Sequence, residues 1–189
     1  MYTEAMLEIH QRCPSMTIVV TAGNHDSSSK LEITRSLWES FGLHVVGSIQ
    51  RDEETVQWSR HIIEVTGKDG RPVGYILPVP HVYPQNFPSP DPEMKREERR
   101  PYFFQTLLDE TKRINTAGLP VVLMAHLAVT GSDTTGHADL IGGMDYFPLN
   151  QLGTGYDYLA LGHIHCPQTL KGSDGRARYC GTPYPVSFD

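Results

Sequence analysis

Three short apolar runs, each ending abruptly in a histidine-bearing polar cluster, constrain this chain more than any other feature. Thr17–Thr21 leads into Gly23-Asn24-His25-Asp26. Val121–Ala125 leads into His126, and Asp157–Leu161 leads into Gly162-His163-Ile164-His165. Runs this short and aliphatic read as buried strands. In open α/β sheets, ligands sit beyond the carboxyl ends of the strands. Strands whose carboxyl ends lie together would therefore bring Asn24, His25, His126, His163 and His165 to one pocket. A single histidine after a strand is more often a hydrogen-bonded structural residue than a ligand. Three such clusters, all at strand ends, are poorly explained by coincidence.

The rest of the chain alternates helix and strand. The spacing of Met6, Ile9 and Cys13 predicts a helix over residues 1–12, stopped by Pro14. Ser27, Ser28 and Ser29 are good helix N-caps, and the following helix would carry Leu31, Thr34, Leu37, Trp38 and Phe41 on one side before Gly42 ends it. A strand is predicted over 44–47. Two more, over 56–65 and 73–77, are joined by the turn-rich 67–70 as a hairpin. Residues 78–101, rich in proline and charge, read as an irregular loop. A helix over 102–115 holds Phe104, Leu107, Leu108 and Ile114. A Gly/Thr/Asp-rich loop spans 130–143, and a last strand covers 176–180. Sheet packed against helices, an α/β layered domain, is the expected architecture. The length of 189 residues suits a single domain with a real core.

Bulk properties narrow the function classes. No stretch approaches the roughly 20 apolar residues of a membrane span, so no membrane role is expected. The first residues have neither a basic start nor an apolar run and do not read as a secretion leader. Cys13, Cys166 and Cys180 form no CxxC pair, which argues against a disulfide framework and fits a cytoplasmic protein. The formal net charge of −6 counts against an extended basic surface for nucleic acid. Bound metal ions, however, can supply positive charge where phosphates sit.

The donor set has chemical meaning. Imidazole nitrogens with an amide oxygen suit Mn, Fe or Zn better than Mg or Ca. His163 and His165 could serve one ion or flank two adjacent ones. A phosphoester-cleaving ion pair needs a bridging carboxylate, and none of these clusters offers an obvious one. Asp26 qualifies by chemistry alone. The other histidines read blandly: His10 as helix surface, His44 and His61 in or beside strands, His81 and His137 in loops with structural or solvated roles preferred over substrate-facing ones. Gly153-Thr154-Gly155 lacks the ending of a phosphate loop.

The order Gly-Asn-His-Asp, lone His, Gly-His-Ile-His resembles the calcineurin-like metallophosphoesterase superfamily. That family also carries an Asp-x-His and a Gly-Asp motif, and this sequence contains neither. The stretches 22–28, 76–84, 160–168 and 179–189 are most similar to the SbcD branch of bacterial DNA-end nuclease subunits. The resemblance implies a β-sandwich flanked by helices (αββα), incomplete here. It implies one nuclease domain over 1–189, truncated at both ends and without a capping domain. It assigns Asn24, His126 and His163 to one metal and His165 to the other. His25 would contact the scissile phosphate and help protonate the leaving oxygen, with Asp26 orienting His25.

The implied cofactor is two divalent ions, Mn first and Mg, Fe or Zn as alternatives. The implied partners are DNA, an SbcC-type ATPase and a second copy in a homodimer. With His165 as the only ligand of one ion, the chain by itself is expected to be inactive or nearly so. Two other readings stand beside this one. The first is a small-molecule or phosphoprotein phosphoesterase on the same fold. The second is a non-catalytic scaffold with a decayed site.

Overall fold

The computed structural model describes residues 2–53, 55–135 and 145–184. His137 and residues 185–189 lie outside the described residues. The helices are α1 (Tyr2–Arg12), α2 (Ser28–Glu32), α3 (Arg35–Glu39) and α4 (Arg96–Ile114). The strands are β1 (Ile18–Thr21), β2 (Leu43–Val46), β3 (Arg51–Asp52), β4 (Thr55–Val56), β5 (Ile63–Thr66) and β6 (Pro72–Val79). They continue as β7 (Val121–His126), β8 (Ala128–Val129), β9 (Tyr146–Phe147), β10 (Tyr158–Gly162), β11 (Gln168–Thr169) and β12 (Ala177–Tyr179).

The fold is mixed α/β. A six-stranded sheet runs in the order β11-β12-β10-β7-β6-β5. Its four central strands are parallel, and β5 and β11 close the edges antiparallel. β1 and β2 form a separate parallel pair. β7 alternates buried and half-buried residues, so one of its faces lies in the core and the other is only partly covered. The core face meets α4 through Phe103, Phe104, Leu107 and Leu108, all on one stripe of that helix.

Several expectations change. The helix predicted after Ser27 is two short helices, interrupted at Ile33 and Thr34, where β-branching disfavours continuation. Of its expected apolar side, Trp38 is buried while Leu37 is largely exposed. Ser27 sits at the N-cap but makes no side-chain capping bond. β1 is half-buried rather than buried, because it pairs with β2 outside the large sheet. The strand predicted over 56–65 is broken by a 3-10 turn at Trp58–Arg60. α4 starts at Arg96 and carries Pro101 inside it. Pro101 removes one helical hydrogen bond near the start of the helix, where the exposed Glu97 carbonyl can turn to water. The Glu98 carboxylate accepts the Lys95 backbone N–H and fixes that start.

His61 is fully buried in this frame. Its Nδ1–H donates to the Pro78 carbonyl at 2.9 Å, and its Nε2 accepts the Gln50 N–H at 3.2 Å. Burial, opposed by the bond to Pro78, lowers its pKa below the ordinary 6.5. The unfolded chain therefore binds a proton at His61 that the folded chain refuses. Stability from this group is present above pH 6.5 and is lost as pH falls from there toward the lowered folded value. Urea midpoints should fall on acidification through this window. His61→Gln should flatten that slope, and an unchanged slope would exclude His61 as its source.

Candidate active site

The parallel register sets the geometry. Gly162 on β10 pairs with His126 on β7, and Val79 on β6 pairs with Ala125. The chain leaves these strands at one edge of the sheet, so the residues that follow them are neighbours. The loop after β1 is tied to the same edge, because the His81 N–H donates to the Ala22 carbonyl at 2.8 Å.

His126 is the hub. Its Nε2–H donates to Asn24 Oδ1 at 3.1 Å across a separation of 102 residues. Its ring lies 5.2 Å from that of His163, centroid to centroid. It also lies against Gly23 and Gly162. A Cβ on Gly23 would come within 2.7 Å of His126 Cε1, and one on Gly162 within 3.0 Å of Nδ1. The glycine of each flanking cluster thus makes room for the ring between them. His163 has φ +97°, a conformation non-glycine residues rarely hold outside sites that need it.

Asn24, His126 and His163, predicted to act together, are brought together. Asp26 sits in the same loop, but its Oδ2 accepts the Gly23 N–H at 2.7 Å, so it fixes the turn. Among the described residues no hydrogen bond joins Asp26 to the His25 ring. His25 is exposed at the mouth of the loop. His165 belongs to the next segment, where its carbonyl accepts the Thr182 N–H at 3.2 Å.

His81 joins the cluster against the sequence expectation of a structural or solvated loop histidine. Its ring lies 6.0 Å from His126 and 6.2 Å from His163, and its Nε2 is buried without a hydrogen-bond partner. Burial lowers its pKa, which favours the neutral imidazole. A signal existed, since His81 follows β6 much as His126 ends β7. The prolines around it obscured the parallel.

Behind the cluster, Tyr179 clamps the chain that leaves β7. Its hydroxyl donates to the Leu127 carbonyl and accepts the Val129 N–H, each at 2.8 Å. Burial pushes its pKa up to about 12, so it stays a donor.

Two imidazoles and an amide oxygen suit one Mn, Fe or Zn ion. Among the described residues no group of three or more His, Cys, Asp and Glu side chains gathers around an ion-sized space. Neither a carboxylate nor His165 therefore joins the imidazoles of His126 and His163 in such a group. By donor chemistry alone, the Asn24 amide oxygen and the imidazoles of His126 and His163 suit a single ion.

Residues 2–167 match the calcineurin-like phosphoesterase model, and the chain belongs to that family. Its relatives include the SbcD component of the SbcCD nuclease from Rhodobacter capsulatus, 33% identical over 182 residues that cover 92% of this chain and 44% of that protein. The Escherichia coli K12 protein of the same name is 30% identical over 182 residues, covering 91% and 43%. The Bacillus subtilis one is 29% identical over 174 residues, covering 90% and 43%. The chain spans less than half the length of these relatives. Members of the family generally use two divalent metal ions. Among the described residues no helix is long and apolar enough to cross a membrane.

Proposed function

We propose that this chain is the catalytic domain of an SbcD-type nuclease that hydrolyses phosphodiester bonds in DNA. The observation that carries the reading is the contact of Asn24 with His126, beside the His126–His163 ring pair, where the strand ends converge. Relatives named as components of one nuclease favour DNA over a small ester. The reading includes an SbcC-type ATPase partner, a homodimer, a cytoplasmic setting and roles in DNA repair, recombination and replication. It treats residues 1–189 as one nuclease domain.

Asn24, His126 and His163 would hold one divalent ion and His165 would contribute to a second, with Mn the preferred metal. The ions would supply positive charge for the phosphate and make a water acidic enough to attack it. His25, exposed at the mouth, reaches the leaving oxygen and gives it a proton, as an imidazole can near neutral pH. Asp26 holds the turn that presents His25. The partly buried rings of His81 and His126 help keep bulk water from the ligand cluster.

An ion with one protein ligand binds weakly, so the 189-residue chain by itself should turn over little. Linear duplex DNA and a simple phosphodiester, each with Mn²⁺, are offered to this chain. They are offered also to the chain extended by an Asp-x-His and Gly-Asp segment. DNA digestion is expected from the extended protein and very little from the chain alone. Rapid digestion by the chain alone would overturn the ligand count. Cleavage of the simple ester without DNA would make it a small-substrate phosphoesterase, and inertness of both proteins would leave the scaffold reading.

A further inference from the structure

We propose that the cleft beside the candidate site is a nucleotide subsite, in which Arg51 takes a backbone phosphate and Tyr83 stacks on a base of a single strand. The inference rests on the strand-cleaving reading above and names the residues that would hold the strand. The cleft encloses about 430 Å³, within the range of small-ligand sites. Asn24 and Asp26 line it together with Arg51, Tyr83 and Asn86. His81, with its buried and unpartnered Nε2, lines the cleft as well. Asn24 and Asp26, which flank the exposed His25 in the chain, both line the cleft, so a strand lying in it would pass the loop that carries His25.

The cation is held ready for an anion. Arg51 Nη2 donates to the Asn86 carbonyl at 2.8 Å, which fixes the guanidinium without neutralising it. Its other donors make no hydrogen bond among the described residues. Arg35, Arg60 and Arg100, by contrast, are paired with carboxylates. In a chain of net charge −6, an arginine held only by a carbonyl beside the candidate site is suited to a phosphate.

The aromatic ring is fixed to the same turn. The Asn86 N–H donates to the Tyr83 carbonyl at 2.8 Å, closing the Pro84–Asn86 turn, so the carbonyl that anchors Arg51 and the backbone that carries Tyr83 belong to one turn. Tyr83 packs edge-on to His81 at 4.9 Å, yet 54% of it is exposed. A lone exposed aromatic is ordinary. A positioned aromatic beside a positioned arginine, on the wall of a cleft, is the arrangement that binds single strands through stacking and phosphate contact. A small ester offers neither a base nor a second phosphate to these residues.

Binding of a short labelled single strand to the 189-residue chain, followed by fluorescence anisotropy in EDTA, tests this. Arg51→Ala should weaken binding roughly tenfold and reduce the salt slope by about 0.7. Tyr83→Ala should weaken it roughly tenfold, while Tyr83→Phe stays within about twofold. On an abasic strand the Tyr83→Ala effect should vanish and the Arg51→Ala effect persist. Arg71→Ala, at an exposed turn away from the cleft, should change nothing. Arg51 and Tyr83 are exposed, so neither substitution should disturb the fold. A parent chain that binds the strand while both alanine variants match it would overturn the cleft assignment alone. A parent chain that binds no strand would overturn the strand-cleaving reading and the cleft with it.

Discussion

His126→Ala is expected to lower phosphodiester hydrolysis by roughly a hundredfold or more in a protein carrying the full ligand set, with a matching loss of ion affinity. Removing a residue that only supports a ligand typically costs 10–100-fold, and in the proposed reading His126 is a ligand itself. The substitution empties the slot between Gly23 and Gly162, removes the bond to Asn24 Oδ1 and takes away the ring 5.2 Å from His163. Asn24 would then be free to turn to solvent, so two of the three proposed donors are lost for one substitution. His126 is only half-buried, so unfolding free energy should change by about 1 kcal/mol or less. The measurements are Mn²⁺ titration calorimetry, the diester hydrolysis rate and a urea melt on the same preparations. Parental hydrolysis by the variant would remove His126 from the site.

Phe103→Ala is expected to do the reverse, destabilising the fold by about 3–5 kcal/mol. Phe103 is 0% exposed. It lies 5.5 Å from Trp58, 6.2 Å from His61, 5.6 Å from Phe87 and 5.6 Å from Phe104, so it ties α4 to two other segments, the turn at 58–61 and the stretch at Phe87. A void at this point would be bounded by ring edges that cannot collapse into it without tilting one another. Domain stabilities are about 5–15 kcal/mol, so the loss is a large part of the whole. The urea midpoint should drop sharply with an unchanged slope. A cost below about 1 kcal/mol would mean that the aromatic cluster is not the mechanical centre of the core.

Local chemistry was legible in the sequence where it is decided locally. Val121–Ala125 and Tyr158–Leu161 are strands because aliphatic runs of that length bury well in a parallel sheet, and the residues after them fall at its carboxyl edge. The 67–70 turn closes an antiparallel pair, as its Gly-Lys-Asp-Gly composition implies. The grouping of Asn24, His126 and His163 follows from that same rule about strand ends.

What escaped the sequence depends on contacts between distant segments. Pro101 reads as the end of the loop that precedes the helix over 102–115. α4 nevertheless extends through it, since Glu98 fixes the start and packing along Phe103, Phe104 and Leu107 offsets one lost hydrogen bond. Asp26 has the composition of a partner for His25, and loop closure turns it back to the Gly23 N–H. His81 enters the site because β6 lies beside β7 in parallel register, and nothing in Val79-Pro80-His81 states which strand is its neighbour. The sequence by itself determined the strands that end in the histidine clusters, the chemistry of those ends and the family. The tertiary structure alone decided which ends meet, because strand order is set by which faces can be buried together, and that sum is taken over the whole chain.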